Sequence, residues 1–508
     1  MYIVHIASEC APIAKVGGLG DVVYGLAKEQ QKNGNRVEII LPKYDILKYD
    51  CLQNLKVERG DLWSFEENNQ IHNTVWKADL ESLTTYLIEP HHEGYYFNRG
   101  YIYGGSDDIE RFLYFSRTAL EFLYKQDKKP DIIHIHDWPT AIVAPLVHHL
   151  YRDLGFHWKG IVFTIHNMEH QGKCFPSHLS RIGLRGEDFR SFDKMQDPNN
   201  PSLLNLLKGG IVFSDYVTTV SPRYREEIKT PEGGAGLDRV VRAYSSKIKG
   251  ILNGIEIETW NPAKDPHLPF PYPSNPTFIS TIRKQKEENR KALCKKLHIE
   301  ANGKPLIGCV TRLVKQKAPY LIKEAIHYTL ECNGSFVLLG TPGDQETRNT
   351  FEHLKESYRG HPNLYIGLYF DESLSHLIYA ASDGFIIPSL YEPCGLTQMI
   401  AMRYGTVPIV RKTGGLADTV FDSDDTSIPK AERTGFSFET ADRGGIQYAL
   451  QRVFETFRNE PAKWDSLIKN GVSCDFSWKK AALTYQKIYF LALLRNTELM
   501  KEPIARLV

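Results

Sequence analysis

The strongest constraint on this chain is a recurrence of short apolar runs, each five or so residues long, separated by stretches with helical spacing. The run Tyr2-Ile3-Val4-His5-Ile6-Ala7 opens the series, and further runs follow at Val37–Leu41, Thr85–Ile88, Ile132–His136, Ile161–Ile165 and Tyr216–Val220. They resume at Leu306–Val310, Phe336–Leu339, Leu364–Gly367, Gly384–Pro388 and Val407–Val410. Continuous apolar runs without alternation mark strands covered on both faces, the situation of a parallel sheet. Two sets separated by a different kind of sequence imply an α/β protein of two doubly wound domains. The length of 508 residues allows two to four domains.

Between the sets, prolines at 262, 266, 269, 271, 273 and 276 exclude regular structure. A linker or draped loop is expected there, with the hinge near 255–275 and Lys284–Leu297 as a charged helix after it. The domains are taken as 1–262, 263–477 and a terminal helix over 478–508. Ser477 is a plausible N-cap for that helix, whose apolar face is Trp478, Ala482, Tyr485, Ile488, Tyr489 and Leu493.

Lys+Arg number 62 against 61 Asp+Glu, so no basic excess exists to capture a polyanion, and nucleic acid is not expected as a partner. No apolar run approaches the roughly 18 residues of a membrane span, and no signal-peptide pattern opens the chain. The eight cysteines form no C-x-x-C pair. A cytoplasmic protein with reduced thiols is expected.

Many of the runs end in chemically loaded residues, where open α/β sheets place their ligand groups. Lys15-Val16-Gly17-Gly18-Leu19-Gly20-Asp21 is echoed by Lys412-Thr413-Gly414-Gly415-Leu416-Ala417-Asp418, each between a strand and a helix. Such glycines let backbone approach a ligand, with helix-start amides behind them. The dinucleotide fingerprint fails because position 23 is Val, and no P-loop Gly-Lys-Ser/Thr follows. A phosphate or sugar cradle and a plain structural turn both remain open.

His134-Ile135-His136-Asp137-Trp138 resembles a metal cluster, though a strand places both histidines on one face and Asp137 off it. A substrate-facing Asp137 beside Trp138 is the alternative. Arg312 and Lys317, after the run ending at Val310, can hold a diphosphate: one offers a planar fork of donors, the other a point charge. In Pro388-Ser389-Leu390-Tyr391-Glu392-Pro393-Cys394-Gly395-Leu396-Thr397-Gln398 a carboxylate for sugar hydroxyls precedes a helix start. The amides of Gly395, Leu396 and Thr397 there suit phosphate oxygens. Together these residues describe a nucleotide-sugar site. Cys394 has no evident base to make it a nucleophile.

On these segments, joined by Thr164–Asn167 and Ile251-Leu252-Asn253-Gly254, the chain resembles the family of bacterial glycogen synthases and plant starch synthases. The likeness runs from residue 1 to about residue 490 in matching order. It implies a GT-B architecture, two Rossmann-like domains facing a cleft with the terminal helix crossing back to the first. It also implies transfer of glucose from ADP-glucose to an α-1,4-glucan with retained configuration, and no metal requirement. By motif, Lys15 and Gly18 lie at the donor, Arg312 and Lys317 neutralise the diphosphate, and Glu392 holds the donor glucose. His166 orients the sugar, while Asp137, Asp21 and Asn253 line the cleft. Cys394, Gly395, Leu396, Thr397, Thr413, Gly414 and Gly415 complete the donor site, and Trp138 and Asn167 meet the acceptor.

Two departures stand out. Position 400 is Ile where many related retaining transferases carry a second glutamate, which favours glycogen and starch synthases over sucrose- or trehalose-type enzymes. The base-stacking segment reads Gly367-Leu368-Tyr369-Phe370, and Phe370 can stack but has no hydroxyl to donate. UDP-glucose as donor, or an inactive glucan-binding homologue, are the competing readings, and a metal-dependent hydrolase built on His134–Asp137 is a third.

Overall fold

The computed structural model describes residues 1–300 and 303–505, with side chains through Arg495. The chain divides into two compact units, one of Met1–Gly254 with the segment from Trp478 onward, the other Ile255–Ser477.

In the first unit the strands are β1 (Tyr2–Ile6), β2 (Arg36–Pro42), β3 (Leu52–Glu66), β4 (Asn69–Leu80), β5 (Leu83–Pro90), β6 (Ile132–His136) and β7 (Gly160–Ile165). A two-residue pair, β8 (Lys173–Cys174) and β9 (Leu204–Asn205), stands apart, and β10 (Tyr216–Thr219) and β11 (Ile248–Gly250) complete the unit. Nine strands form one sheet in the order β11-β10-β7-β6-β1-β2-β5-β4-β3. From β11 to β5 all neighbours run parallel, and β1, β6 and β7 are almost wholly buried. Apolar runs without alternation belong in such a position.

The other edge corrects the all-parallel expectation. β3 and β4 form a long antiparallel hairpin that pairs onto β5, turning through Glu67 at φ 55°. Its first ten residues are mostly exposed and carry Lys56, Glu58, Arg59 and Asp61, and its register shifts three times. A solvated, irregularly paired hairpin leaves no clean period-2 signal.

The second unit holds β12 (Leu306–Leu313), β13 (Ser335–Pro342), β14 (Leu364–Gly367), β15 (Gly384–Ile387), β16 (Val407–Arg411) and β17 (Phe436–Phe438). They form one parallel sheet in the order β14-β13-β12-β15-β16-β17. β12 runs three residues beyond its expected end at Val310, so Arg312 lies on the strand rather than in the loop after it.

The proline-rich segment is draped on the second unit. Trp260 stacks on His376 at 4.2 Å, Asp265 binds His376 Nδ1 (2.7 Å) and Tyr404 OH, and Tyr272 OH donates to Tyr404 O (2.9 Å). Beneath lies the buried ammonium of Lys286. It donates to Ala380 O (3.0 Å), Tyr404 O (3.1 Å) and Thr406 Oγ1 (2.6 Å), and burial draws its pKa down to about 7.

The terminal helix Trp478–Ala505 packs on the helix Gly18–Lys32 and on β7 of the first unit. It buries Trp478, Ala482, Tyr485, Ile488, Tyr489 and Ala492, while Leu493 is only half-buried. Ser477 stands before it but does not cap it. Its Oγ is buried without a partner, and Asp475 Oδ1 accepts the Ser477 N–H at 2.9 Å instead.

Candidate active site

Each sheet has a point where successive connections leave in opposite directions, and open α/β sheets bind ligands beyond the strand ends there. In the first unit it lies between β1 and β6, in the second between β12 and β15. The candidate residues cluster at both.

In the first unit, β1 leads into a tight loop before the helix Gly18–Lys32. Cys10 and Ala14 exchange two backbone hydrogen bonds of 2.8 Å. The buried carboxylate of Glu9 accepts the N–H groups of Val16 (2.6 Å) and Gly17 (2.9 Å), and takes a third bond from Tyr103 OH (2.8 Å). Glu9 therefore holds the glycine loop in shape, a role the motif does not announce. The only hint in the sequence is a carboxylate placed three residues past a buried strand. Lys15 Nζ pairs with Asp21 Oδ1 at 2.8 Å. A side chain on Gly17 or Gly18 would meet nothing within 4 Å, and Gly17 gives the helix no side-chain cap. The helix-start amides and the glycines thus border open space.

Asp137, directly after β6, has φ 54°. Its Oδ1 accepts the backbone N–H groups of His166 (2.7 Å) and Asn167 (3.4 Å), which follow β7. Burial pushes the Asp137 carboxyl up to about 8 despite those bonds. Asp137 thus acts on the backbone that carries His166. The His166 ring is itself buried, which lowers its pKa to about 3 and keeps it neutral. Trp138 packs edge-on against Phe112 (5.5 Å) and beside Gly172, while Asn167 Oδ1 closes a local turn onto Glu169 N–H (3.0 Å). Asn253 is buried with no protein partner for its Oδ1, an acceptor that a ligand could satisfy.

In the second unit, Lys317 ends a single helical turn after β12, and Ala318 follows at φ 50°. Its ammonium forms an ion pair with Glu392 Oε2, which also accepts from Ser389 Oγ (2.9 Å). Among the described residues Oε1 of Glu392 takes part in no hydrogen bond. The Glu392 backbone is pinned by Gly415 N–H donating to its carbonyl at 3.0 Å. A Cβ on Gly415 would overlap the carbonyl oxygen of Cys394. Gly395 has φ 71°, and Gln398 Nε2 donates to Cys394 O (3.2 Å), Gly395 O (2.9 Å) and Thr419 Oγ1 (3.1 Å). Gln398 and Ser389 are thus structural partners of the segment that sequence reasoning left without a role.

Leu396 precedes the helix Thr397–Arg403 and Thr413 the helix Gly414–Thr419, and neither side chain caps its helix. Cys394 is buried beneath this loop. Arg312 is exposed at the end of β12, and among the described residues no carboxylate is paired with it. Phe370 is 74% exposed after β14, a flat ring with room for a partner.

The structure thus brings together Lys15 with Asp21, Asp137 with His166 and Asn167, and Lys317 with Glu392, Cys394 with Gly415. The histidines of the metal alternative gain a partner to which the sequence did not point. His5 joins His134 and His136 in a cluster whose ring nitrogens lie within 4.8 Å of one another, whereas Asp137 is turned to the His166 backbone.

Comparison with known proteins bears on this arrangement. A model of the starch synthase catalytic domain matches residues 2–243, and one of glycosyl transferases group 1 matches residues 291–464. The chain is 50% identical to the glycogen synthase of Protochlamydia amoebophila over 501 residues, covering 98% of this chain and all of that protein. It is 43% identical to glycogen synthase 2 of Methylococcus capsulatus, covering 96% of this chain and 99% of the relative. The catalytic domain of starch synthase IV from Arabidopsis thaliana, solved bound to ADP and acarbose, superposes with a TM-score of 0.93. That domain is 48% identical, with 97% of this chain and 99% of the other covered.

Proposed function

The chain belongs to the glycogen synthase and starch synthase family of glucosyltransferases, with the GT-B fold, and from that premise we propose how its two half-sites act. The reaction is transfer of glucose from ADP-glucose to the non-reducing end of an α-1,4-glucan, with the anomeric configuration retained. The observation that carries the reading is the Glu392–Lys317–Ser389 cluster beside uncapped helix starts, at the switch point of the second sheet.

In this reading the second unit holds the donor. Glu392 Oε1 accepts from glucose hydroxyls, while Lys317 and Ser389 fix the carboxylate through Oε2. Lys317 is already matched by Glu392, so Arg312 brings the surplus positive charge that draws the diphosphate. The amides of Gly395, Leu396 and Thr397 and the Thr413-Gly414-Gly415 turn meet the phosphate oxygens. Phe370 offers its face to the nucleotide base. ADP in the similar starch synthase IV structure supports an adenine nucleotide.

In the first unit, the family resemblance gives Lys15 and the Gly17-Gly18 turn the role of serving the donor phosphates, with Glu9 holding the loop. Asp21 orients Lys15, and Asp137 fixes the backbone at His166, whose ring orients the transferred sugar. Asn253 supplies a buried acceptor, and Trp138 and Asn167 lie toward the glucan.

The step is a front-side displacement. The bond from the anomeric carbon to the diphosphate oxygen breaks, and its electron pair leaves with ADP. The acceptor 4-hydroxyl bonds to the same face and gives its proton to the departing diphosphate. Fixed cations, not a divalent ion, stabilise the leaving group. A cytoplasmic location follows from the reading, and no described helix is long and apolar enough to cross a membrane.

The test is initial-rate assay with glycogen and either ADP-glucose or UDP-glucose, in EDTA, following nucleotide release and glucose incorporated into glycogen. Faster extension with ADP-glucose, unaffected by EDTA, is expected. Preference for UDP-glucose overturns the donor assignment, and loss of activity in EDTA overturns the metal-free step.

A further inference from the structure

Beneath His166 the first sheet carries an unusual polar stripe. A parallel strand buried on both faces should be apolar throughout, yet His5, His134, His136, Thr164 and Thr218 are all wholly buried. They come from adjacent strands in matching register, His5 opposite His134, His136 opposite Thr164, and Thr164 opposite Thr218. The first helix and the terminal helix cover them with Gln30, Tyr485 and Tyr489, also buried.

The hydrogen bonds form one connected chain. His166 Nε2 meets His136 Nδ1 (3.1 Å), His136 Nε2 meets His5 Nδ1 (3.0 Å), and His5 Nε2 meets Gln30 Oε1 (2.8 Å). Gln30 Nε2 donates to Tyr489 OH (2.7 Å), which meets His134 Nδ1 (2.8 Å), and His134 Nε2 meets Thr164 Oγ1 (2.6 Å).

Every ring nitrogen of His5, His134 and His136 is therefore engaged. A metal ion among them would have to displace these bonds, so the cluster is a hydrogen-bond relay rather than a metal site. Burial holds all four histidines neutral, with His5 drawn down to about 4 and His166 to about 3.

A neutral imidazole has one donor and one acceptor nitrogen, so direction at one end sets direction at the other. Gln30 Oε1 can only accept, which puts the His5 proton on Nε2 and leaves Nδ1 to accept. His136 must then donate from Nε2, and its Nδ1 accepts from His166 Nε2–H. We propose that Gln30, His5 and His136 are positioning residues that fix His166 in the Nε2–H tautomer, presenting an acceptor Nδ1 to a sugar hydroxyl. Tyr489 of the terminal helix holds the Gln30 amide in the orientation that sets this direction. The choice of a sugar hydroxyl rests on the proposed function; the relay itself does not.

The test is long-range proton–nitrogen NMR of the full-length protein with 15N-labelled histidine, without substrate at neutral pH, alongside donor kinetics. In the wild type, His166 should carry its proton on Nε2 and show an unprotonated Nδ1. Tyr489→Phe keeps the ring but frees the Gln30 amide, and Gln30→Met removes the acceptor for His5. Each should give a mixture of His166 tautomers and lower kcat/KM for the donor about tenfold, with the fold retained by circular dichroism. A wild-type His166 protonated on Nδ1, or an unaltered tautomer in both variants, overturns the relay. A fixed Nε2–H tautomer in a protein that transfers no glucose supports the relay and overturns the proposed function instead.

Discussion

The segments Lys15–Asp21 and Lys412–Asp418 each join a parallel strand to a helix, and five of their seven positions carry the same residue. In the first unit, side chains on Gly17 and Gly18 would meet nothing within 4 Å, and Gly17 at φ −142° is open to any residue. In the second, a Cβ on Gly415 would overlap the Cys394 carbonyl oxygen, and Gly414 has φ 46°. One glycine pair borders open space; the other lets two loops of the same unit touch. The cations differ too, since Lys15 pairs with Asp21 inside its own loop and Lys412 lies near Glu439 outside it (3.8 Å). Similar motifs can thus be kept for unlike physical reasons, and only the surroundings separate them.

The largest effect that would break this contrast is at Gly415. Gly415→Ala must displace backbone rather than a flexible side chain, so a loss of about 3 kcal/mol or more is expected in the second unit's denaturant transition. A midpoint close to wild type would show that the close approach of Gly415 to the Cys394 carbonyl does not hold the turn.

Gly18→Ala should do the reverse. Stability stays within about 0.5 kcal/mol or rises slightly, while kcat/KM for the donor falls at least about tenfold, measured by nucleotide release. Full activity would make the first turn a mere connection. Arg312→Ala, which removes the cation unmatched by a carboxylate, should lower kcat about a hundredfold with the fold intact.

The units should also answer acid differently. His5, His134, His136, His148, His149 and His166 of the first unit all have pKa values lowered by burial. Depressed folded values mean the unfolded chain binds more protons below its own value of about 6.5, so stability present above that pH is lost as pH falls toward about 4. Asp21, Asp137 and Asp215 are raised by burial, the last two to about 8 and about 6, and give the opposite slope, but are three against six. Lys286 of the second unit titrates near 7 and above, outside the window. Urea midpoints between pH 6.5 and 4.5 should fall more for the first unit. The smallest effect expected is at Ser477, whose Oγ has no partner. Ser477→Ala should change stability by less than about 0.5 kcal/mol.

The parallel strands were legible because burial on both faces writes itself as an unbroken apolar run, as in Phe336–Leu339 and Gly384–Ile387. The β3–β4 hairpin was not, since its outer half is solvated and its pairing irregular. In the site, Lys317 and Glu392 could be named from the residue types that suit a diphosphate and a sugar, and the structure pairs them. Glu9 could not, because its work is to accept backbone amides, which any carboxylate can do. The histidine stripe was half legible: His134 and His136 share a strand face, but Gln30 and Tyr489 are 459 residues apart and meet only on folding.

The central claim is retaining glucosyl transfer served by residues of both units. It is tested most directly by the anomeric configuration of the new linkage. Glycogen extended from ADP-glucose by the wild type should show only α-1,4 bonds by proton NMR, and Lys15→Ala and Lys317→Ala should each slow kcat with unfolding midpoints preserved. A β-linkage, release of free glucose without chain extension, or full activity in either variant would contradict the account.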